Sequence, residues 1–401
     1  MTAARSRAAK TTTFNDFPYS EFETRIARRD FRGMTKDMLP TPCMIVDKTL
    51  FDQNVKKMSD HCKATNINIR PHVKVHKSVD IAKRQIQLGA IGLTTATIAE
   101  AELMSGAGLK NVMWTKQPAG VNNISRAIAL AKRDATFLFV VDDPMVADWV
   151  EEAAAAANVQ CKIVVDVFAG MKRHGMQPGQ PALELAQKVD QSKHMRLQGL
   201  MGYSGGAAHT NGWEARRQRS GKDLAGLAET AELCKKAGLP IKLISGGSTG
   251  TYNIDKEHGL TELEAGTYVF MDTGYRTIGG KDGDGVYNDW AGALTILTTV
   301  GSKRWPNLVT TDYGNKAMAR PTDQVKGMPW LAVGTQGAEY GSLAWKDDAP
   351  SQPKLGDRVE IYCTTLDMST HAYDRYYVAQ GEQIVDVWPI MGRVPGGAAQ
   401  R

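Results

Sequence analysis

The sequence contains little cysteine and no long apolar segment. Its five cysteines lie far apart and include no Cys-x-x-Cys pair: Cys43, Cys62, Cys161, Cys234 and Cys363. An odd number of scattered cysteines predicts free thiols in a reducing compartment, rather than a disulfide framework or a zinc site. No apolar run reaches the roughly 18 residues that a transmembrane helix requires. We therefore expect no membrane partner and a cytoplasmic location.

Neither sign of charge dominates the sequence. Lysine and arginine number 49 and aspartate and glutamate 43, which gives a net charge of +6 in a chain of 401 residues. The basic residues are dispersed, so beyond the N-terminus no cluster predicts nucleic-acid binding. Residues 1–13 lack the apolar core of a secretory signal and only weakly resemble a transit peptide, so we expect a disordered tail there. The length predicts two domains.

Strand and helix patterns alternate along the first two thirds of the chain. Helical spacing covers Leu50–Ala64 and Trp213–Ala237, for example, and strand patterns cover Lys162–Val167 and Leu197–Gly202. About eight such units close a parallel barrel, although an open doubly wound sheet gives the same pattern. From about Asp284 the helical patterns stop, and short strands alternate with Gly, Pro and Asp turns, which is typical of an antiparallel domain.

We therefore predict an α/β fold in which a (β/α)8 barrel is followed by an antiparallel β domain. The predicted boundaries are an N-terminal extension over residues 1–39, the barrel over 40–283 and the β domain over 284–401.

Basic residues crowd the segment Arg70-Pro71-His72-Val73-Lys74-Val75-His76-Lys77-Ser78. It follows the alternating residues 66–69, which predict a strand. A lysine that is buried among other cations tends towards the neutral amine, which is the nucleophile that forms Schiff bases with carbonyls. A solvated basic turn is the alternative interpretation of this composition.

This segment resembles the lysine motif of the D-threonine aldolase and D-serine dehydratase family, which is related to alanine racemase through its N-terminal barrel. The resemblance covers about residues 40–392. It implies that the protein binds pyridoxal 5'-phosphate, that Lys74 forms the Schiff base with it, and that Lys77 is the second lysine of the motif.

Two loops after predicted strands carry further family motifs. Residues 166–175 resemble Asp-x-Gly-x-x-Arg-x-Gly, which implies that Arg173 reaches the phenolic oxygen of the cofactor. Residues 202–209 resemble Ala-Tyr-x-Gly-x-x-Gln-His. That match implies that Tyr203 binds the cofactor and that His209 is the base for the β-hydroxyl of a substrate.

Two more segments resemble the phosphate-binding parts of the family. Residues 245–251 form a Gly-rich loop after a strand, where backbone N–H groups and hydroxyls can bind a phosphate. This match implies phosphate contacts from Gly247, Ser248 and Thr249. Residues 262–275 resemble Glu-x-Gln-x-Gly-Ser-Tyr-x-Phe-Met-Asp-x-x-Tyr, which implies a second phosphate contact from Gly266 and Thr267.

The metal pair of the family is altered in this sequence. Relatives carry His-x-Asp or His-x-Cys, whereas this chain has Thr365 and Asp367, with His371 four residues further on. Asp367, Thr365 and His371 could hold Mg²⁺ or Mn²⁺ with waters, or they could be the remnant of a lost site. The sequence leaves both alternatives open.

The resemblance implies a pyridoxal-phosphate-dependent aldolase that cleaves the Cα–Cβ bond of a D-β-hydroxy amino acid to glycine and an aldehyde. A D-serine or 3-hydroxyaspartate dehydratase is the first alternative, followed by an amino-acid racemase or a cofactor-binding protein of low activity. A sugar-phosphate enzyme on a plain barrel is the alternative outside this family. We expect a small D-amino acid as the substrate and a homodimer in which the β domain of one subunit closes the barrel of the other.

Overall fold

A computed structural model of the chain describes residues 19–283, 285–317, 324–362 and 364–393. The predicted start of the β domain at Asp284, the predicted thiol of Cys363 and the predicted tail of residues 1–13 lie outside these residues. The described α-helices, α1 to α11, are Tyr19–Ala27, Lys48–Thr65, Val79–Gln87, Ile98–Gly106, Val121–Arg133, Pro144–Ala157, Gln180–Gln191, Gly205–Ala208, Trp213–Lys236, Thr273–Arg276 and Leu366–Ser369.

The described strands, β1 to β17, are Cys43–Asp47, Asn68–Ile69, Leu93–Thr95, Val112–Trp114, Leu138–Val141, Cys161–Asp166, Met195–Gly202, Leu243–Gly246, Glu262–Leu263, Leu294–Trp305, Leu308–Thr311, Gln324–Val325, Ala332–Thr335, Gly341–Ala344, Arg358–Tyr362, Arg375–Gln380 and Gln383–Pro389. Short 3₁₀ helices cover Lys36–Met38, Val73–Val75, Asp255–His258, Thr267–Val269 and Thr370–Ala372.

The strands β2 to β9 form one parallel sheet in the order β2-β9-β8-β7-β6-β5-β4-β3. Its two ends meet, because His72 and Thr94 form a parallel bridge and the Thr94 N–H donates to the Pro71 carbonyl at 2.9 Å. An open sheet would leave both edges unpaired, so the predicted barrel is confirmed. The last four residues of β6 and of β7 are buried on both faces of the strand, because helices cover the barrel from outside.

The helices of the barrel begin and end where their capping residues predict. Asp47 accepts a hydrogen bond from the Leu50 N–H at 3.1 Å and so begins α2, which ends at Asn66 in the left-handed conformation. Thr97 and Glu100 form a reciprocal capping box at the start of α4. The caps of α2 explain why the predicted helix over residues 50–64 agrees closely with it. The predicted helix over residues 213–237 agrees closely with α9, which has no side-chain cap at its start and is followed by Gly238 in the left-handed conformation.

A second sheet combines nine strands in the order β11-β14-β13-β12-β15-β10-β1-β16-β17. The predicted antiparallel β domain is confirmed, with one correction. Strand β1, which the predicted boundaries assign to the barrel, lies in this sheet, antiparallel to β10 and parallel to β16. Because side chains alternate along a strand, Met44 and Val46 pack into the main core while Cys43 and Ile45 pack against a smaller cluster that contains Phe22 of α1.

The described helices include none that combines the length and the apolar character needed to span a membrane. Four cysteines, Cys43, Cys62, Cys161 and Cys234, are buried free thiols.

Candidate active site

A cavity of about 430 Å³ opens at the carboxyl ends of the barrel strands, where active sites of this architecture lie. The sequence-predicted residues in its wall are Lys74, Arg173, Tyr203, His209, Gly247, Ser248, Thr249, Gly266, Thr267, Thr365 and Asp367. His371 is not among the lining residues. The fold thus brings together residues from segments that are far apart in the sequence, whereas His371 does not line the cavity.

The two lysines of the basic segment point to different surroundings. Lys74 lies in the short 3₁₀ helix after β2, and its Nζ is 6.0 Å from the centre of the Tyr203 ring in the cavity. Lys77 has a left-handed backbone with φ of 50°, and its Nζ forms a buried ion pair with the Glu100 carboxylate. Of the two amines, that of Lys74 faces the cavity.

Cations collect on the same side of the cavity as Lys74. The Arg173 guanidinium lies 5.1 Å from the Tyr203 ring. His72 accepts a hydrogen bond from the Lys74 N–H on Nδ1 at 3.4 Å. Burial, and then the nearby Lys74 and Lys77, hold the pKa of His72 well below its ordinary value. The imidazole is therefore neutral, and the surroundings favour a bound anion.

Two loops supply backbone donors for such an anion. Gly247, Thr249 and Gly266 line the cavity, and their N–H groups donate no hydrogen bond to another described residue. A Cβ at Gly247 would lie 2.8 Å from Asp255 Oδ2, and its φ is +77°, so only glycine fits this turn. A Cβ at Gly266 would lie 2.7 Å from the His72 carbonyl oxygen. Both loops therefore present bare backbone to the cavity, as a phosphate site requires.

A buried carboxyl group supports the first of these loops from behind. Asp255 accepts hydrogen bonds from the hydroxyls of Ser220 and Thr251, and Thr251 Oγ1 in turn accepts from the Ser248 N–H at 3.1 Å. Burial raises the pKa of Asp255 to about 7. This carboxyl therefore changes its charge close to neutral pH, directly behind the loop.

His209 follows the short helix α8 and packs against Tyr275, with ring centres 4.4 Å apart and ring planes tilted by 38°. Burial lowers the pKa of His209, Lys74 lowers it further, and Asp367 opposes them. The imidazole is thus neutral near pH 7 and able to accept a proton. It lines the same cavity as Lys74, Thr365 and Asp367.

The sequence analysis did not single out Glu264, although this residue lines the cavity and is buried. Ser245 donates a hydrogen bond to its Oε1 at 2.7 Å, and burial raises its pKa to about 7. A signal was visible in the sequence, because glutamate stands here where the quoted family motif has glutamine. Asp255 gave no such signal, since its role depends on contacts with Ser220 and Thr251 in the folded chain.

Comparisons with known proteins agree with this geometry. The family model described as "Alanine racemase, N-terminal domain" matches residues 46–274, and a serine dehydratase domain model matches residues 293–379. A 3-hydroxy-D-aspartate aldolase of Paracoccus denitrificans is 29% identical over 371 residues, which cover 91% of this chain and 95% of the relative.

Two further relatives represent both reactions considered above. A D-threo-3-hydroxyaspartate dehydratase of Delftia sp. is 27% identical over 376 residues, covering 87% of this chain and 97% of the relative. The solved structure of a D-threonine aldolase from Filomicrobium marinum superimposes with a TM-score of 0.84 at 28% identity, covering 89% of this chain and 97% of that one.

Proposed function

This chain belongs to the family described as alanine racemase, N-terminal domain, and from that premise we propose that it is a pyridoxal-phosphate-dependent aldolase. The reaction is cleavage of the Cα–Cβ bond of a D-β-hydroxy amino acid to glycine and an aldehyde. One observation carries the proposal: Lys74, His209 and two loops with free N–H groups line a single cavity. The similarity to a 3-hydroxy-D-aspartate aldolase and a D-threonine aldolase supports it.

The residues of the cavity suit pyridoxal phosphate. Lys74 offers the amine that would hold the cofactor, and Arg173 offers a cation for its phenolic oxygen. The phosphate would be bound by the backbone N–H groups of Gly247, Thr249, Gly266 and Thr267 and by the hydroxyl of Ser248, whose own N–H donates to Thr251. Tyr203 would lie beside the ring. When bound, the cofactor supplies an electron sink, and the protein determines which bond to Cα breaks.

His209 is the proposed general base of the aldol cleavage. Because burial and Lys74 lower its pKa, the imidazole is neutral at the working pH and can take the proton of the β-hydroxyl. The electron pair of that O–H bond then forms the aldehyde carbonyl as the Cα–Cβ bond breaks. A proton added at Cα then gives glycine, and His209 releases the proton it took to solvent before the next substrate binds.

A weak metal site at Asp367 belongs to this proposal. Asp367 and Thr365 lie in the cavity wall, so a divalent cation there would meet one carboxylate and one neutral hydroxyl. His371 is exposed and does not line the cavity, so we assign it no part in this donor set. Mg²⁺ or Mn²⁺ with several waters fits a donor set of this kind. Full activity of Asp367→Ala after exhaustive chelation would contradict a metal role at this position.

We also propose that the enzyme is a cytoplasmic homodimer. The buried free thiols of Cys43, Cys62, Cys161 and Cys234 suit a reducing compartment. Exposed Met368, directly after Asp367, is an apolar side chain that a second subunit would cover.

The decisive experiment is incubation of the purified protein with D-threonine, D-serine and D-phenylserine, with and without Mn²⁺. Aldehyde and glycine from D-threonine or D-phenylserine are the expected products. Ammonia and a keto acid would instead favour the dehydratase, which similarity to the Delftia enzyme makes the second candidate. Loss of optical activity alone would indicate a racemase. Cofactor absorbance without any product would indicate a cofactor-binding protein, and no absorbance after reconstitution would contradict the whole proposal.

A further inference from the structure

A second group of polar side chains lies beside the catalytic cavity. Asp142 directly follows β5 and Asp166 ends β6, and the two strands pair with Val141 opposite Val165. This register places the two carboxylates next to each other at the mouth of the barrel. The loop after β6 folds back, with Met176 N–H donating to the Asp166 carbonyl at 2.9 Å, and so brings in His174.

These three residues are arranged as metal ligands are. One potential ligand atom from each of Asp142, Asp166 and His174 lies within 4.8 Å of the other two. The Gly175 N–H donates to Asp142 Oδ2 at 2.7 Å, which orients that carboxylate. His174 Nδ1 contacts Asp166 Oδ2. Two carboxylates and an imidazole are a donor set for divalent cations that accept both oxygen and nitrogen.

An unpaired buried oxygen supplies an independent reason to expect a ligand. The Asp166 side chain is only 3% exposed, yet its Oδ1 has no hydrogen-bond partner among the described residues. A buried carboxylate oxygen without a partner is costly, so such atoms normally have a donor or a cation beside them. A bound cation would satisfy Oδ1 and neutralise both carboxylates.

We propose that Asp142, Asp166 and His174 form a divalent-cation site of the Mn²⁺ or Mg²⁺ class. The site borders a second cavity of about 380 Å³, whose wall contains Asp142 and His174 together with Lys74 and Arg173. Coordination positions that the three residues leave free are filled by water or by an oxygen of a small molecule in that cavity. The positive charges of Lys74 and Arg173 oppose the cation and limit its affinity.

This inference does not depend on the proposed aldolase reaction. The cation would be held by residues at the ends of β5 and β6, whereas the metal of the proposed function would be held at Asp367, near the start of α11. Binding can be measured on the full chain without substrate, so failure of the two proposals can be told apart.

The test is Mn²⁺ binding to the metal-free full-length protein, followed by electron paramagnetic resonance and calorimetry. In this assay His174→Gln and Asp142→Asn should each weaken Mn²⁺ affinity at least about tenfold. Replacing a residue that only supports a metal ligand already lowers metal affinity by about 10- to 100-fold. Nitrogen coupling in the Mn²⁺ spectrum should disappear in His174→Gln. The matched variants Asp367→Asn and His371→Gln should leave that coupling in place.

Three results would overturn the site. The first is no Mn²⁺ binding to the unaltered protein at millimolar concentrations, which would indicate a hydrogen-bonded Asp166–His174 pair only. The second is unchanged affinity in both His174→Gln and Asp142→Asn. The third is nitrogen coupling that disappears in His371→Gln instead. Thermal denaturation with and without Mn²⁺ checks that each variant is folded and gives a second readout of binding, since a cation bound to the native state raises its stability.

Discussion

At the scale of single residues, Lys74 and Lys77 differ in their partners rather than in their chemistry. The Lys77 amine forms a buried ion pair with Glu100, and the backbone of Lys77 is left-handed. A buried ion pair of this kind fixes the amine, which is then unavailable to a carbonyl. The amine of Lys74 meets the Tyr203 ring and the cavity instead.

We predict that Lys74→Ala loses the covalently held cofactor and its visible absorbance while the protein remains folded. Lys77→Ala should instead keep the cofactor on Lys74 but lower the free energy of unfolding by about 3–5 kcal/mol, because Glu100 is left buried without its partner. Borohydride reduction followed by peptide mapping locates the attached lysine, and urea denaturation measures stability. A label on Lys77 would refute the assignment.

The proposed base predicts a defined pH dependence. Because burial and Lys74 lower the pKa of His209 below its ordinary 6.5, the neutral base is present throughout the neutral range. We expect kcat/KM to be flat there and to fall only in a more acidic range, as His209 becomes protonated. His209→Gln should lower kcat by about 10²- to 10⁴-fold and remove this acidic limb.

His371→Gln is the control for that experiment, because His371 lies outside the cavity wall and is exposed. It should leave the acidic limb in place. An acidic limb that persists in His209→Gln would show that another group titrates.

At the scale of elements, the loop after β8 joins the proposed cofactor site to a buried carboxyl group. Asp255 holds the hydroxyls of Ser220 and Thr251, and Thr251 positions the Ser248 N–H. Burial raises the pKa of Asp255 from the ordinary 3.8 to about 7. Between these values the folded protein binds a proton that the unfolded chain has released, so stability falls as pH rises towards 7.

We predict that Asp255→Asn makes stability less dependent on pH between about 5 and 8, since the neutral amide cannot ionise. The same variant should bind pyridoxal phosphate more tightly than the unaltered protein above pH 7, where the ionised Asp255 repels the phosphate. Titration of cofactor absorbance at several pH values measures this difference. Pyridoxal without its phosphate is the control, and an equal change for both compounds would contradict the explanation.

At the scale of the whole molecule, the exposed side of the cavity suits a second subunit. Met368 is 55% exposed directly beyond Asp367, and His209 is exposed at the same mouth. Water in an open mouth would compete with the proposed chemistry, so closure by a partner is expected.

We predict a homodimer at micromolar concentration, measured by analytical ultracentrifugation. Met368→Glu should weaken the dimer and lower activity together, because it places a charge in the covered surface. Met145→Glu is the matched control: Met145 is 58% exposed on the barrel helix α6, and its replacement should change neither property. A monomer with full activity would contradict this prediction.

The sequence by itself determined the order of elements and the family. Caps such as Asp47 and Thr97 act on N–H groups three residues away, so the starts of α2 and α4 follow from local sequence. The family resemblance is confirmed, because the alanine racemase N-terminal domain model matches residues 46–274. The glycines at 247 and 266 were also visible in the sequence, because a close approach of the backbone to its neighbours requires glycine at these positions.

The tertiary structure alone decided which distant segments meet. It placed β1 between β10 and β16 rather than in the barrel, because the alternate faces of β1 are buried by two different cores. It paired Lys77 with Glu100, set Asp255 behind the loop after β8 and brought Asp142, Asp166 and His174 together. Such contacts depend on strand register and on burial from both sides, which residue spacing along one segment cannot specify.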